Sequence, residues 1–292
     1  MRKLVTALAV LSITLVSAQN DTTYWKTGLA GTFTFNQTSL TNWQAGGESS
    51  LGANFLVVLR ADYEKDQWKW DNRIELAYGS NRQGGRFIKT DDRFEFVSTI
   101  GHRVNPDSYW YYSAQFQFKT QFFDGFATPD DTVKISTLLA PAYTTGGLGM
   151  EYKRSEQFSL YISPLSFKHT LVMDDYLSSI GAFGVDPGEN AWMQVGAFIN
   201  FVYVKENLIK NVTFRNKLDL YSNYLNNPQN LDINWEMIFL MKVNSWLSAN
   251  LQTHLIYDDD INIEETDVEG NVTSGPRVQF KQIFGAGISI TL

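Results

Sequence analysis

Cysteine is absent from the 292 residues, which excludes a disulfide-stapled scaffold. Charge is also scarce. Asp, Glu, Lys and Arg make up 19% of the chain, and basic residues are outnumbered 31 to 24. An average soluble domain carries roughly 25% charged residues. Because no basic surplus exists to neutralise phosphates, the composition argues against a nucleic-acid partner.

Long hydrophobic runs are missing after the N-terminal segment. The most apolar later stretch, 192–204, is interrupted by Gln194 and Asn200. A spanning helix needs roughly 18 or more apolar residues in succession. The sequence therefore excludes a helical membrane protein.

Aromatic residues, in contrast, are abundant at 14%, which excludes a disordered chain. The first residues have the pattern of a secretory signal peptide. Arg2 and Lys3 precede an apolar stretch at 4–16, and Val16-Ser17-Ala18 supplies small residues at a cleavage site. We therefore expect an exported protein with a signal peptide at 1–18 and one domain at 19–292.

Period-2 alternation is the main signal in the mature chain. Near the C-terminus, Phe284, Ile288 and Leu292 share one face with other apolar residues, while polar or small residues take the other face. Such segments run about 10–13 residues, the length that crosses a bilayer at a tilt. Twelve are predicted, at 25–36, 50–63, 67–79, 93–104, 110–123, 146–154, 158–168, 191–204, 211–223, 231–243, 246–258 and 278–292.

The connections support an all-β, closed antiparallel transmembrane barrel. Those after segments two, four, six, eight and ten are short, and those after one, three, five, seven and eleven are long. Short periplasmic turns and long extracellular loops are typical of outer-membrane barrels. Most prolines fall in connections, but Pro164 interrupts segment seven. Segment ends carry Trp25, Trp68, Trp70, Trp110, Tyr111, Tyr112, Trp192 and Trp246, which we place at the lipid–water boundary.

The alternation also predicts which charges face the lumen. Together with one histidine they form a ladder of both signs. Its members are Arg60, Asp62, Asp71, Arg73, Glu75, Arg215, Lys217, Asp219, Asp232, Glu236 and His254. Arg215, Lys217 and Asp219 interleave with Asp232 and Glu236 of the next strand, and we expect the opposite charges to pair because charges in a narrow lumen need partners. A balanced ladder favours a filled or constricted lumen over a charged pore.

Candidate chemistry is weaker. No Gly-x-Ser-x-Gly motif is present, and His254 is interpreted as a lumen residue, so no catalytic residue is assigned. The last long loop is acidic and offers a weak calcium site, its candidate ligands being Asp258, Asp259, Asp260, Glu264 and Glu265. Solvated loop charge is the simpler interpretation. Asp174 and the six residues after it predict a short capped helix before Gly181.

Three groups of residues resemble an uncharacterised outer-membrane β-barrel family of Bacteroidota, a domain of unknown function. They are Phe35-Asn36-Gln37 with Leu40-Thr41-Asn42-Trp43 and Ala45-Gly46-Gly47-Glu48, then Trp70-Asp71-Asn72 with Ala77-Tyr78-Gly79, and Ile135–Tyr143 leading into Gly147-Leu148-Gly149. The resemblance implies a barrel in the outer membrane and brings no known activity. Within the first group, Asn42, Trp43, Gly46 and Gly47 form a loop motif, interpreted as a rim anchor or a binding surface.

These observations predict a non-catalytic barrel in contact with outer-membrane lipid, whose loops or outer wall dock to partner proteins of an envelope assembly. A narrow channel for small polar solutes is the alternative. An outer-membrane lipid hydrolase ranks third.

Overall fold

The computed structural model describes residues 24–39, 49–83, 85–128, 131–266 and 271–291, without the side chains of 264–266 and 291. The predicted signal peptide and the loop motif of Asn42, Trp43, Gly46 and Gly47 lie outside the described residues. No helix in the described part of the chain is long and apolar enough to span a membrane.

A closed antiparallel barrel of twelve strands is the core of the fold, in the order β1-β16-β13-β12-β11-β10-β9-β8-β5-β4-β3-β2. Its strands are β1 (Trp25–Thr38), β2 (Ser50–Lys65), β3 (Trp68–Gln83), β4 (Arg86–Arg103), β5 (Trp110–Thr120), β8 (Ala142–Ser155), β9 (Phe158–Leu171), β10 (Ala191–Ile209), β11 (Val212–Asn223), β12 (Asp232–Lys242), β13 (Leu247–Tyr257) and β16 (Gln279–Thr291). Each coincides with one predicted segment, so the all-β barrel and its strand number are confirmed.

The remaining elements lie in the long connections. Two small hairpins pair β6 (Gly125–Phe126) with β7 (Lys134–Ser136) and β14 (Asn262–Thr266) with β15 (Val272–Pro276). Helix α1 (Asp175–Ser179) is the predicted capped helix, because the Asp174 carboxylate accepts a hydrogen bond from the Leu177 amide. A 3-10 turn follows at Ala182–Gly184. The helix and turn pack over a small core of Ala140, Val172, Leu177 and Val185.

One predicted loop is wrong. Residues 80–92 were expected to form a long outer connection, but β3 continues to Gln83 and β4 begins at Arg86. The register shifts between Gly79 and Ser80, and pairing then resumes to the hairpin tip. Because a bulge adds a residue on one strand, it breaks the strict alternation on which the sequence prediction depended.

Segment seven is β9, and Pro164 lies within it. The strand accommodates the proline with a bulge, where pairing slips between Leu148 and Met150 of the neighbouring β8. On one side of the bulge Ser163 is buried, and on the other side Ser166 is buried. The inward face therefore changes from odd to even residue numbers at Pro164.

The outer wall is apolar. On β16 the side chains of Phe280, Phe284, Ile288 and Ile290 are all exposed, and the odd-numbered residues between them are more buried. This is the predicted phase, and it reverses the arrangement of a soluble sheet, whose apolar side chains point into a core. An exposed apolar wall that encloses polar side chains is the arrangement of a membrane barrel.

Aromatic rings form a girdle at the short-turn end. Trp25 contacts Tyr63 and Trp70, and Trp110 contacts Tyr152. Further contacts continue the girdle around the wall through Phe158, Tyr203, Phe214 and Phe239. Two predicted boundary residues are not part of it. Tyr111 is buried in the barrel, and Trp192 packs against the core beneath α1.

Candidate functional site

Charged side chains fill the lumen. The structure places the predicted ladder on the inward face of its strands, and several members are almost fully buried, with Glu75 2% and Glu236 5% exposed. Burying a charge is costly unless an opposite charge and hydrogen bonds compensate it. The contacts that provide this compensation run across the barrel, between strands that are not neighbours.

Arg93 on β4 makes the longest of these contacts. Its guanidinium donates to Glu236 on β12, six strand positions away in either direction around the barrel. The same guanidinium lies 2.6 Å from Glu75 on β3, which also accepts from Arg73. One arginine thus joins opposite sides of the wall through the centre of the lumen.

Two more pairs lie at about the same level. Lys217 on β11 donates to Glu95 on β4, and Lys119 on β5 lies 2.7 Å from Asp219 on β11. Amides complete the shell, since Gln117 donates to Glu95 and Asn200 donates to Asp219. We call this set the mid-lumen belt; its charged members are Glu75, Arg93, Glu95, Lys119, Lys217, Asp219 and Glu236.

The predicted partners of the belt residues were wrong. Lys217 and Glu236 do face each other on neighbouring strands, as the alternation implied. Each nevertheless pairs with β4 across the lumen. Long basic side chains in a closed barrel reach acids on the far wall, and such contacts are invisible to a comparison of adjacent segments.

Apart from His254, three members of the predicted ladder have no ion pair among the described residues: Arg60, Asp62 and Arg215. Arg60 stands directly opposite Arg73 on the next strand. Arg215 lies close enough to Arg73 and Arg60 to be influenced by their charges. Of these three arginines on the short-turn side of the belt, Arg73 is the one with a carboxylate partner among the described residues.

A second ionic cluster lies nearer the short-turn end. Lys69 contacts Asp71 at 2.7 Å and also contacts Glu151, and Lys153 contacts Asp71 at 2.7 Å. These pairs join β3 to β8, which are three strand positions apart. The sequence prediction placed Asp71 in the ladder, but it did not predict which residues Asp71 contacts across the lumen.

On the long-loop side, Lys168 is the residue that the sequence analysis missed. Its ammonium lies 2.7 Å from Asp232 and 2.8 Å from Asp258. It also lies over the rings of Tyr143 and Tyr221, at 5.9 and 5.6 Å from their centroids. Lys168 faces inward because of the bulge at Pro164, so the proline was the signal that the alternation changes phase there.

The weak calcium candidates separate in the structure. Asp258 and Asp260 lie close to Asp232. One carboxylate oxygen from each of the three residues is within 4.8 Å of the other two. Asp259 instead accepts from Asn230 and Tyr257. The side chains of Glu264 and Glu265 lie outside the described residues. Burial and the charge of Asp258 raise the pKa of Asp260 above its ordinary value. The Lys168 ammonium already occupies the position that a cation would take beside Asp232 and Asp258.

His254 donates from Nε2 to the Asn234 side chain at 2.8 Å. This contact gives the ring a structural partner rather than a nucleophilic hydroxyl to activate. On β16, the strand next to that of His254, Lys281 lies 2.7 Å from Asp91 on β4. This ion pair spans the lumen as the belt pairs do.

The belt divides the free space of the lumen. On the long-loop side a cavity of about 680 Å³ reaches the outer connections, and we call it the outer cavity. On the short-turn side two smaller cavities hold about 200 and 120 Å³. Belt residues such as Glu95 and Lys119 line the outer cavity, while Lys69 and Asp71 line the 200 Å³ cavity.

Comparison with known families and solved structures finds similar proteins. Residues 35–126 match the family described as Protein of unknown function (DUF3078), a stretch that includes two of the three groups in the resemblance noted above. The crystal structure of an outer membrane channel from Pseudomonas putida F1 is similar at 10% identity, with a TM-score of 0.40, over 96% of this chain and 100% of that chain. At that TM-score the likeness supports no conclusion about function. No curated protein matches the sequence.

Proposed function

We propose that this protein is a non-catalytic barrel of the outer membrane, closed to ion flow by its mid-lumen belt, which acts by docking to partner proteins of the envelope. The single observation that supports closure is the Arg93–Glu236 contact between opposite strands, with Glu75 on the same guanidinium. Side chains that cross the centre of the lumen constrict any water path beside them, which supports closure.

The membrane location is supported by the apolar outer wall and its aromatic girdle, together with the predicted signal peptide. The docking role is supported by the outer connections. The loop between β5 and β8 exposes Val133, Ile135 and Leu138, and the loop holding α1 exposes Tyr176 and Ile180. Apolar side chains exposed together mark interaction surfaces on soluble parts of proteins.

Conductance tests closure directly. We expect refolded wild-type barrels in a planar bilayer to conduct little, and Glu236→Ala to leak ions because water replaces the lost side chain. Thr253→Ala, on the outer face of the same barrel wall, serves as the matched control and should stay closed. Large, stable, salt-proportional currents through the wild type would overturn the proposal.

A photo-crosslinking amino acid at Val133 tests docking in intact cells. We expect one discrete adduct, and no adduct from the same group at exposed Asp186 on a neighbouring loop. Adducts from both positions, or from neither, would contradict a partner at the apolar loop surface.

A narrow channel remains the second candidate, because free space lies on both sides of the belt. Only the belt separates the two spaces, so a rearrangement of its side chains would connect them. Gated openings of the wild type with small, defined steps would favour this function.

A further inference from the structure

The outer cavity has a charged floor and sides. Five basic and seven acidic residues line it. Lys168 with Asp232 and Asp258 forms one side, and Lys281 with Asp91 forms another. At about 680 Å³ the cavity falls within the roughly 300–1,000 Å³ typical of small-molecule sites.

Every one of these charges already has an opposite charge. The acids outnumber the bases by two, and some of the acids also accept hydrogen bonds from backbone amides. Asp92 accepts from the amides of Phe122 and Phe123, besides its contact with Lys89. Asp258 accepts from the amide of Asp260 as well as from Lys168. The cavity therefore offers no unpaired charge to an ionic ligand.

A charged ligand would have to displace one member of a buried pair. Breaking such a pair leaves an uncompensated charge in the protein, which costs more than the new contact returns. An uncharged ligand avoids that cost. It can still form hydrogen bonds, because an ion-paired carboxylate has about four acceptor sites and an ammonium has three donors.

Aromatic side chains on the cavity wall place a second requirement on the ligand. Tyr143 and Tyr221 flank the Lys168 ammonium, and Phe198 packs against Tyr221 in a buried cluster. All three line the cavity, and so do Ile135 and Ile261 from the outer loops. The ligand must therefore present apolar C–H surface as well as hydroxyl groups.

We propose that the outer cavity is a binding site for an uncharged, hydroxyl-rich ring compound of the size of a mono- or disaccharide. The paired charges supply fixed donors and acceptors to the hydroxyls, and the aromatic side chains take the C–H face of the ring. This inference goes beyond the closed-barrel proposal and does not depend on it, since binding is measured on the barrel in detergent without conductance.

The test uses maltose as the neutral probe, with glucuronate and glucosamine as its anionic and cationic counterparts. Intrinsic fluorescence and calorimetry are recorded on the refolded full-length mature barrel. We expect saturable maltose binding, and about tenfold or more weaker binding of both charged sugars. Because sugars also stabilise proteins by exclusion from their surface, saturation rather than a rise in melting temperature is the criterion.

A matched pair of variants locates the site. Ile256→Trp fills the cavity from its inward position, whereas Leu255→Trp places the same ring on the outer face of β13. We expect the first variant to lose maltose binding and the second to retain it. Tyr143→Leu, which removes one ring and no charge, should weaken binding while the barrel stays folded.

Three results would overturn the proposal. They are no saturable binding of maltose to the wild type, binding of either charged sugar at least as tight as that of maltose, and equal binding by Ile256→Trp and Leu255→Trp. A conducting wild-type barrel that binds maltose would contradict the closed-barrel proposal and leave this one standing.

Discussion

The two sides of the mid-lumen belt contain the same kinds of residue but differ in free space. The long-loop side holds one cavity of about 680 Å³, and the short-turn side holds two of about 200 and 120 Å³. On the long-loop side Lys168 of β9 contacts Asp232 on β12 and Asp258 just after the end of β13. These two strands are three and four positions away from β9 around the barrel. In the belt, Arg93 reaches a strand six positions away.

The Lys168 cluster and the belt therefore differ in how far their ion pairs reach, and that reach decides whether a pair crosses the centre of the lumen. Pairs between strands a quarter of the circumference apart stay near the wall and leave the centre free. Pairs between opposite strands must cross the centre. The Lys168 cluster lines a cavity for this reason, and the Arg93 contacts close one.

The largest expected effect is on the belt. Glu236→Ala leaves the buried Arg93 with Glu75 as its only carboxylate partner, and we expect a loss of about 3–5 kcal/mol in the free energy of unfolding. Chemical denaturation of the refolded barrel measures it. The double variant Arg93→Met with Glu236→Leu should recover much of the loss, because no charge is then left unpaired. A double variant less stable than the single one would show that charge pairing does not hold the belt together.

The next effect tests which face of the wall lines the lumen. Ile288→Arg places a charge on the apolar outer face of β16, where a midplane charge costs about 2–4 kcal/mol. Ser289→Arg places the same charge inward and should cost less. Membrane assembly, followed by heat-modifiable mobility in gels, compares the two. Equal losses would contradict the face assignment on which the comparison of the two halves depends.

Removing Lys168 should change the chemistry of the outer cavity. Lys168→Ser leaves Asp232, Asp258 and Asp260 together without the ammonium. We expect the variant to gain a Ca²⁺-dependent stabilisation of about 1.4 kcal/mol at ten times the dissociation constant. Melting curves with CaCl₂ or EDTA measure this stabilisation. The control is Lys281→Ser, which leaves a single acid, Asp91, without its lysine instead of a group of three acids. A similar Ca²⁺ effect on the wild type would show that Lys168 does not occupy the cation position.

The smallest effect concerns the short-turn side. Arg215 has no ion pair among the described residues and lies within range of Arg73 and Arg60. Arg215→Gln should therefore leave the free energy of unfolding unchanged or raise it by up to about 1 kcal/mol, since it removes repulsion between like charges. A clear loss of stability in the Gln variant would reveal a partner for Arg215 that the ion pairs do not include.

Much of the fold could be predicted because a strand alternates its side chains and a bilayer sets its length. Those two regularities were enough for the twelve strands and for the outward Ile288 and the inward Glu236, while the capped helix after Asp174 followed from its capping pattern. They failed at Pro164 and at Gly79, where a bulge adds a residue and shifts the phase. Lys168 was missed at the first of these positions, and the extended β3–β4 hairpin at the second.

The alternation of the sequence alone therefore determined how many strands the barrel has and, away from the bulges, which residues face its lumen. Tertiary structure decided which charges meet. Closing the sheet brings β4 opposite β12, so that Arg93 contacts Glu236, a residue 143 positions away in the chain. The diameter and stagger of the closed barrel set that contact, and no local pattern encodes them, because each strand carries information only about its own two faces.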